Sequence, residues 1–150
     1  MIATETRDNW KKLAGDCCIS LAGGENLMSA NKLLSALDWL DFIQPDIGKW
    51  GGVDGCMAIA SKAIESGKKY CPHWLSGGVG LLHSAHVLAA VGGDGLLEVD
   101  TNPNPLRSLM LESIPGIKDG FYFLGNGSGI GITSPHKAVR GFLQSHQSFH

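Results

Sequence analysis

Several signatures of specialised chains are missing from these 150 residues. Only 17% of the side chains are charged, the net charge is −2, and no Lys/Arg cluster occurs. There is thus no field to gather nucleic acid. No run is long and apolar enough to span a bilayer. The opening MIATETRDNWKK lacks the apolar core of a secretion signal. The four cysteines, Cys17, Cys18, Cys56 and Cys71, show no CxxC or other zinc spacing. All four read as small buried hydrophobes in a reducing compartment, and a cytoplasmic location is expected. No GxGxxG follows a strand and no P-loop exists, so nucleotide binding has no motif to rest on. His83 and His86 are spaced i, i+3 but lack the acid of a zinc-protease helix, and read as helix-surface or core-edge histidines. His136, His146 and His150 fall in no pattern.

What is abundant is glycine, 21 residues, paired at 23–24, 51–52, 77–78 and 92–93 and recurring in GNGSGIG near the end. Between these corners a short apolar run alternates with an amphipathic stretch. Cys17–Ala22, Phe42–Pro45, Lys69–Pro72 and Leu96–Val99 read as strands. Ser29–Leu40, Val53–Ser66 and Gly80–Val91 read as helices. Leu33, Leu34, Leu37 and Leu40 form one stripe, Ser29 is a candidate cap and Gly67 a candidate stop. TNPNPLR is too rich in proline for regular structure, and the rest reads as a tail. Strands about 25 residues apart, alternating with helices, predict an α/β fold with parallel pairing. An open doubly wound sheet and part of a (β/α) barrel both fit. The expected divisions are a lead-in over 1–16, strands and site residues over 17–107, and a tail over 108–150.

Glu25, Asp46, His73 and Glu98 each fall at or near the end of a successive strand, which in a barrel is the catalytic face. Each has a plainer reading. Glu25 suits hard-metal ligation, or is a solvated turn acid. Asp46 can hydrogen-bond the imidazole of His73 and orient it as a general base, or the two form a structural pair. Glu98, on an apolar strand, could keep its proton and donate to an oxyanion, or pair with Arg107 at a sheet edge. Lys49 could neutralise an anionic substrate, or is a surface lysine. Trp39, Trp50 and Trp74 read as packing residues, with Trp50 and Trp74 placed to line the site.

Five segments, LAGGEN (21–26), QPDIGKWGG (44–52), CPHWLSGGVGLLHSAH (71–86), LLEVDTNPNPLR (96–107) and GNGSGIGI (125–132), together resemble the C-terminal part of the mandelate racemase/muconate lactonizing enzyme family of the enolase superfamily. The resemblance implies the C-terminal half of a (β/α)7β barrel, strands five to eight. It also implies a Mg²⁺ ion that binds a substrate carboxylate while a base removes the α-proton. By that resemblance Glu25 is the third metal-binding carboxylate, Asp46 and His73 form a His–Asp dyad, and Glu98 is the acid bonded to the developing oxyanion. Aspartate at position 46, where other branches have a lysine base, is similar to the mandelate racemase-like branch of racemases and acid-sugar dehydratases. The expected substrate is a hydroxy or sugar acid and the expected reaction its dehydration. A racemase, epimerase or cycloisomerase, or an inactive half-barrel, is the alternative.

The resemblance also implies two further metal ligands and a second base upstream, yet only 24 residues precede Glu25 and none resembles those motifs. A whole barrel takes about 250 residues. The expectation is a half-barrel with unpaired strand edges, completed by a missing N-terminal half or by self-association. Such a chain alone is expected to bind Mg²⁺ weakly and to turn over little or nothing.

Overall fold

The computed structural model describes residues 7–111, 114–132 and 137–142. The order is α1 (Arg7–Asp16), β1 (Ala22–Gly23), α2 (Ala30–Ala36), β2 (Phe42–Ile43), α3 (Gly52–Glu65), β3 (Lys69–Tyr70), α4 (Gly78–Val91), α5 (Pro105–Ser108), β4 (Gly116–Lys118), β5 (Phe121–Phe123) and a 3₁₀ segment, Lys137–Phe142. His136, His146 and His150 lie outside the described residues.

The strands β1, β2 and β3 form one parallel sheet in that order, with Gly23 opposite Ile43 and Ile43 opposite Tyr70. Each strand is only two residues long, shorter than the apolar runs predict. Pro45 and Pro72 explain two of the three, because proline brings no N–H to the ladder. Beyond them the chains touch again where the His73 N–H donates to the Pro45 carbonyl at 3.2 Å. Asp46 and His73 thereby become neighbours in an isolated parallel bridge.

The first predicted strand fails over residues 17–20. The Cys17 N–H caps α1 by donating to the Leu13 carbonyl, and Ile19 is 72% exposed. Pairing begins at Leu21, whose carbonyl accepts from Asp41 and Phe42. Cys17 is therefore half-buried and Cys18 exposed, against expectation, while Cys56 and Cys71 are buried. Burial pushes the Cys56 thiol up to about 11 and the Cys71 thiol upward. Ellman's reagent at pH 8 is expected to label Cys18 rapidly and Cys17 more slowly, and to reach Cys56 only after unfolding. Fast labelling of Cys56 in the folded protein would contradict this packing.

The fourth predicted strand does not join the sheet. Residues 95–100 run beside β3, but the Leu96 N–H meets the Cys71 sulfur at 3.2 Å where a ladder needs a carbonyl.

The core lies between the sheet and its helices: Leu33 and Ala36 from α2, Ile59 and Ala60 from α3, Val87 from α4, with Ile43 and Tyr70 beneath. Ser29 caps α2 as its residue type predicts, accepting from the Lys32 N–H at 3.3 Å. The predicted leucine stripe loses Leu34, which is 39% exposed, one position round the helix from buried Leu33. Gly67 (φ +69) ends α3, as expected of a glycine stop.

Besides α1 in the expected lead-in and the 3₁₀ segment in the expected tail, a helical turn and a hairpin arise where no element is predicted. Within TNPNPLR a single helical turn forms, with Asn104 as cap and Pro105 in its first turn, because proline's fixed φ suits that place. In the expected tail, β4 and β5 pair as an antiparallel hairpin around Asp119 and Gly120, both at positive φ.

Candidate active site

The site lies beyond the C-terminal ends of β1, β2 and β3. The chain leaves β1 at Gly24 with φ +128, and a Cβ there would press on the Gln44 backbone at 3.2 Å. The glycines of LAGGEN thus let the chain turn against β2 and set Glu25, half-buried, at the strand end. Glu25 Oε1 accepts from Asn26 Nδ2 at 3.0 Å, and Asn26 Oδ1 accepts from Lys49 Nζ at 3.2 Å. Lys49 Nζ lies 3.8 Å from Asp46 Oδ2. Three of the predicted residues are therefore joined in one polar chain through Asn26, the one member that sequence reasoning passed over. Its only signal was its place beside Glu25.

Asp46 is buried, and its Oδ1 accepts the N–H groups of Gly48 (2.8 Å) and Lys49 (3.0 Å). This is the local side-chain cap that aspartate makes in turns. The expected Asp46–His73 side-chain bond gives way to a different pairing: His73 Nδ1 lies 2.8 Å from Glu98 Oε2. The two residues meet through their backbones, while Asp46 serves its own turn. The expected edge pairing of Glu98 with Arg107 also fails. Arg107 binds Asp100 at 2.8 Å, the Ser76 carbonyl at 3.4 Å and the Asn102 carbonyl.

Trp74 is wedged between two glycines. A Cβ on Gly48 or Gly80 would overlap its indole at 2.7 and 2.1 Å, and its Nε1 donates to the Gly77 carbonyl at 2.7 Å. Trp50 packs against the core and Trp39 is buried within it. His83 is half-buried, with Nδ1 2.8 Å from the Val79 carbonyl. It borders a cavity that its helix-surface reading did not suggest.

Mg²⁺ asks for several oxygen ligands in an octahedron. Among the described residues no three His, Cys, Asp or Glu side chains converge as a metal-binding group, and Glu25 is a single carboxylate. These residues do not by themselves make a Mg²⁺ site.

Polar side chains delivered from the ends of successive parallel strands, each strand followed by a helix, are the arrangement of the β/α-barrel class. A family model described as enolase C-terminal domain-like matches residues 2–138, and the chain belongs to that family, with the mandelate racemase/muconate lactonizing enzymes of the enolase superfamily. It is similar to a crystal structure of a mandelate racemase/muconate lactonizing enzyme from Bordetella bronchiseptica, at 41% identity and TM-score 0.86, covering 94% of this chain and 40% of that one. An arabinonate dehydratase of Saccharolobus solfataricus is 26% identical over 134 residues, 88% of this chain and 36% of that protein. A D-galactonate dehydratase of Xanthomonas campestris pv. campestris is 30% identical over 88 residues, 57% of this chain and 23% of that protein. The chain thus spans about a third or less of these curated relatives, and it corresponds to the C-terminal part of the barrel.

Proposed function

We propose that this chain carries the acid–base side of an acid-sugar dehydratase site. The observation that carries the reading is the 2.8 Å contact between His73 Nδ1 and Glu98 at the strand ends. With Nδ1–H donating to the carboxylate, the neutral ring keeps Nε2 as its proton acceptor. Dehydration of a 2,3-dihydroxy acid removes the α-proton and the β-hydroxide. An imidazole can take the first proton or return one to the departing oxygen. Lys49 brings a positive charge to the same face, against a substrate carboxylate. Glu25 is proposed as one carboxylate of a Mg²⁺ site whose other ligands come from the part of the barrel that this chain does not span; the ion would supply charge neutralisation at the substrate carboxylate. The names of the arabinonate and galactonate dehydratases favour a sugar acid as substrate.

The test is incubation with Mg²⁺ and arabinonate or galactonate in D₂O. The chain is assayed alone and mixed with the portion of the Bordetella relative that it does not cover. The expected result is a 2-keto-3-deoxy acid from the mixture and little or none from the chain alone. A His73→Asn mixture should be slower by roughly 100-fold or more. Deuterium at the α-carbon without loss of water would replace dehydration by racemisation or epimerisation. A mixture that assembles by gel filtration yet exchanges no proton would overturn the reading, as would an unimpaired His73→Asn.

A further inference from the structure

Between the first turns of α3 and α4, against Ile47, Gly48 and Trp74, lies a cavity of about 630 Å³. This is within the range of small-molecule sites. Trp74, Val53, Val79, Leu106 and Met110 line it, and His83 borders it. Three of these are large hydrophobics that the fold leaves exposed: Val53 at 43%, Val79 at 41% and Leu106 at 39%. Scattered singly they would need no explanation, but they come from three different helices and converge on one opening. The Trp74 wall is fixed, because Gly48 and Gly80 leave room for no other side chain against the indole and Nε1 is bonded to Gly77.

The polar side chains in the lining are few, Ser76 and His83. A carbonyl can only accept, so the His83 Nδ1 facing the Val79 carbonyl carries the proton. The neutral ring is then left with Nε2 as an acceptor and no second donor. A polyhydroxylated acid would leave its hydroxyls unpaired against these walls, at a cost that apolar contact does not repay.

We propose that this cavity binds a small apolar ring compound carrying one hydrogen-bond donor, seated against Trp74 and donating to His83 Nε2. The cavity adjoins the acid–base face at Gly48 and Trp74, but its assignment rests on its own lining and does not depend on the dehydratase reading.

Indole and 1-methylindole make a matched pair of probes, followed by the NMR signals of the Trp74 Nε1–H and the His83 ring. Indole is expected to bind with a dissociation constant on the order of 0.1–1 mM, and 1-methylindole roughly tenfold more weakly. His83→Phe should abolish the difference between the two, and Val79→Trp, which fills the opening from an exposed position, should remove both. The comparison of the two probes on the unaltered chain stands even if a variant fails to fold. Absence of binding, or equal binding of the two probes, would overturn the proposal. So would displacement of indole by galactonate, which would merge the cavity with the sugar-acid site. A dimer in sedimentation velocity that Val79→Trp dissociates would make the surface a contact between copies, and would overturn it too.

Discussion

Gly95→Ala is expected to destabilise the protein by about 3 kcal/mol or more, lowering the melting temperature by roughly 10 °C. A Cβ on Gly95 would lie 1.9 Å from the Tyr70 carbonyl oxygen and 3.0 Å from a Leu88 methyl. The first obstacle is backbone, so no rotamer change relieves it, and β3 or the 95–98 segment must move. Tyr70 is 1% exposed and belongs to the core, so most of the shift falls on the segment that carries Glu98. Loss of the His73–Glu98 contact should accompany the drop in stability, visible as a change in the His73 ring nitrogen shifts. Gly15→Ala is the control: it lies in α1 with nothing within 4 Å of its new Cβ. It should be neutral or gain up to about 0.5 kcal/mol from helix propensity. Equal melting curves for the two variants would mean that the close passage of residue 95 over β3 is wrong.

Arg107→Met is the second large effect. The guanidinium is buried and ties Asp100, Ser76 and Asn102 together, which clamps the 100–107 loop beside the His73–Ser76 turn. Methionine fills part of the space but leaves the Asp100 carboxylate, 8% exposed, without its cation. A fall in melting temperature of about 10 °C at pH 7 is expected. The pH dependence identifies the cause. The Asn102 backbone N–H first, and the Arg107 guanidinium next, hold the Asp100 carboxyl below its ordinary value. A carboxyl lowered on folding contributes stability that is fully present above its unfolded value, about 3.9. That stability is lost as pH falls through the lower folded value. The gap between Arg107→Met and the unaltered protein should therefore be widest near neutrality and narrow below about pH 4. A gap that stays constant from neutral to acid pH would assign the loss to packing alone.

The sequence allowed much of this architecture to be read. The alternation of apolar runs with amphipathic stretches, the Ser29 cap and the Gly67 stop all correspond to observed features. β2 and β3 are shorter than their apolar runs because Pro45 and Pro72, visible in the sequence, bring no donor to the ladder. The hairpin was legible too, since Asp119-Gly120 between Lys118 and Phe121 is a strong turn signal. So was α1, where Trp10, Leu13 and Ala14 recur at helical spacing and Trp10 and Ala14 reach the core. Which acid faces His73 could not be read in this way. Asp46 and Glu98 both fall near strand ends beside His73, but the Gly48 and Lys49 amides hold Asp46 Oδ1 in its own turn while Glu98 meets the imidazole. Likewise the sequence contains Val53, Val79 and Leu106 but does not show that they are exposed and share an opening.

The brevity of the strands has a consequence for how the molecule behaves in a crowded solution. An incomplete barrel invites the picture of a sheet cut open, with long bare margins ready to template another chain. Here each margin, β1 on one side and β3 on the other, offers only two residues of ladder, and the 95–98 segment runs along the second. Margins that short make poor templates for runaway strand addition. Helices pack on this small sheet, so a companion polypeptide would have to recognise side chains and shape at this face rather than bare amides. That is a more selective kind of adhesion.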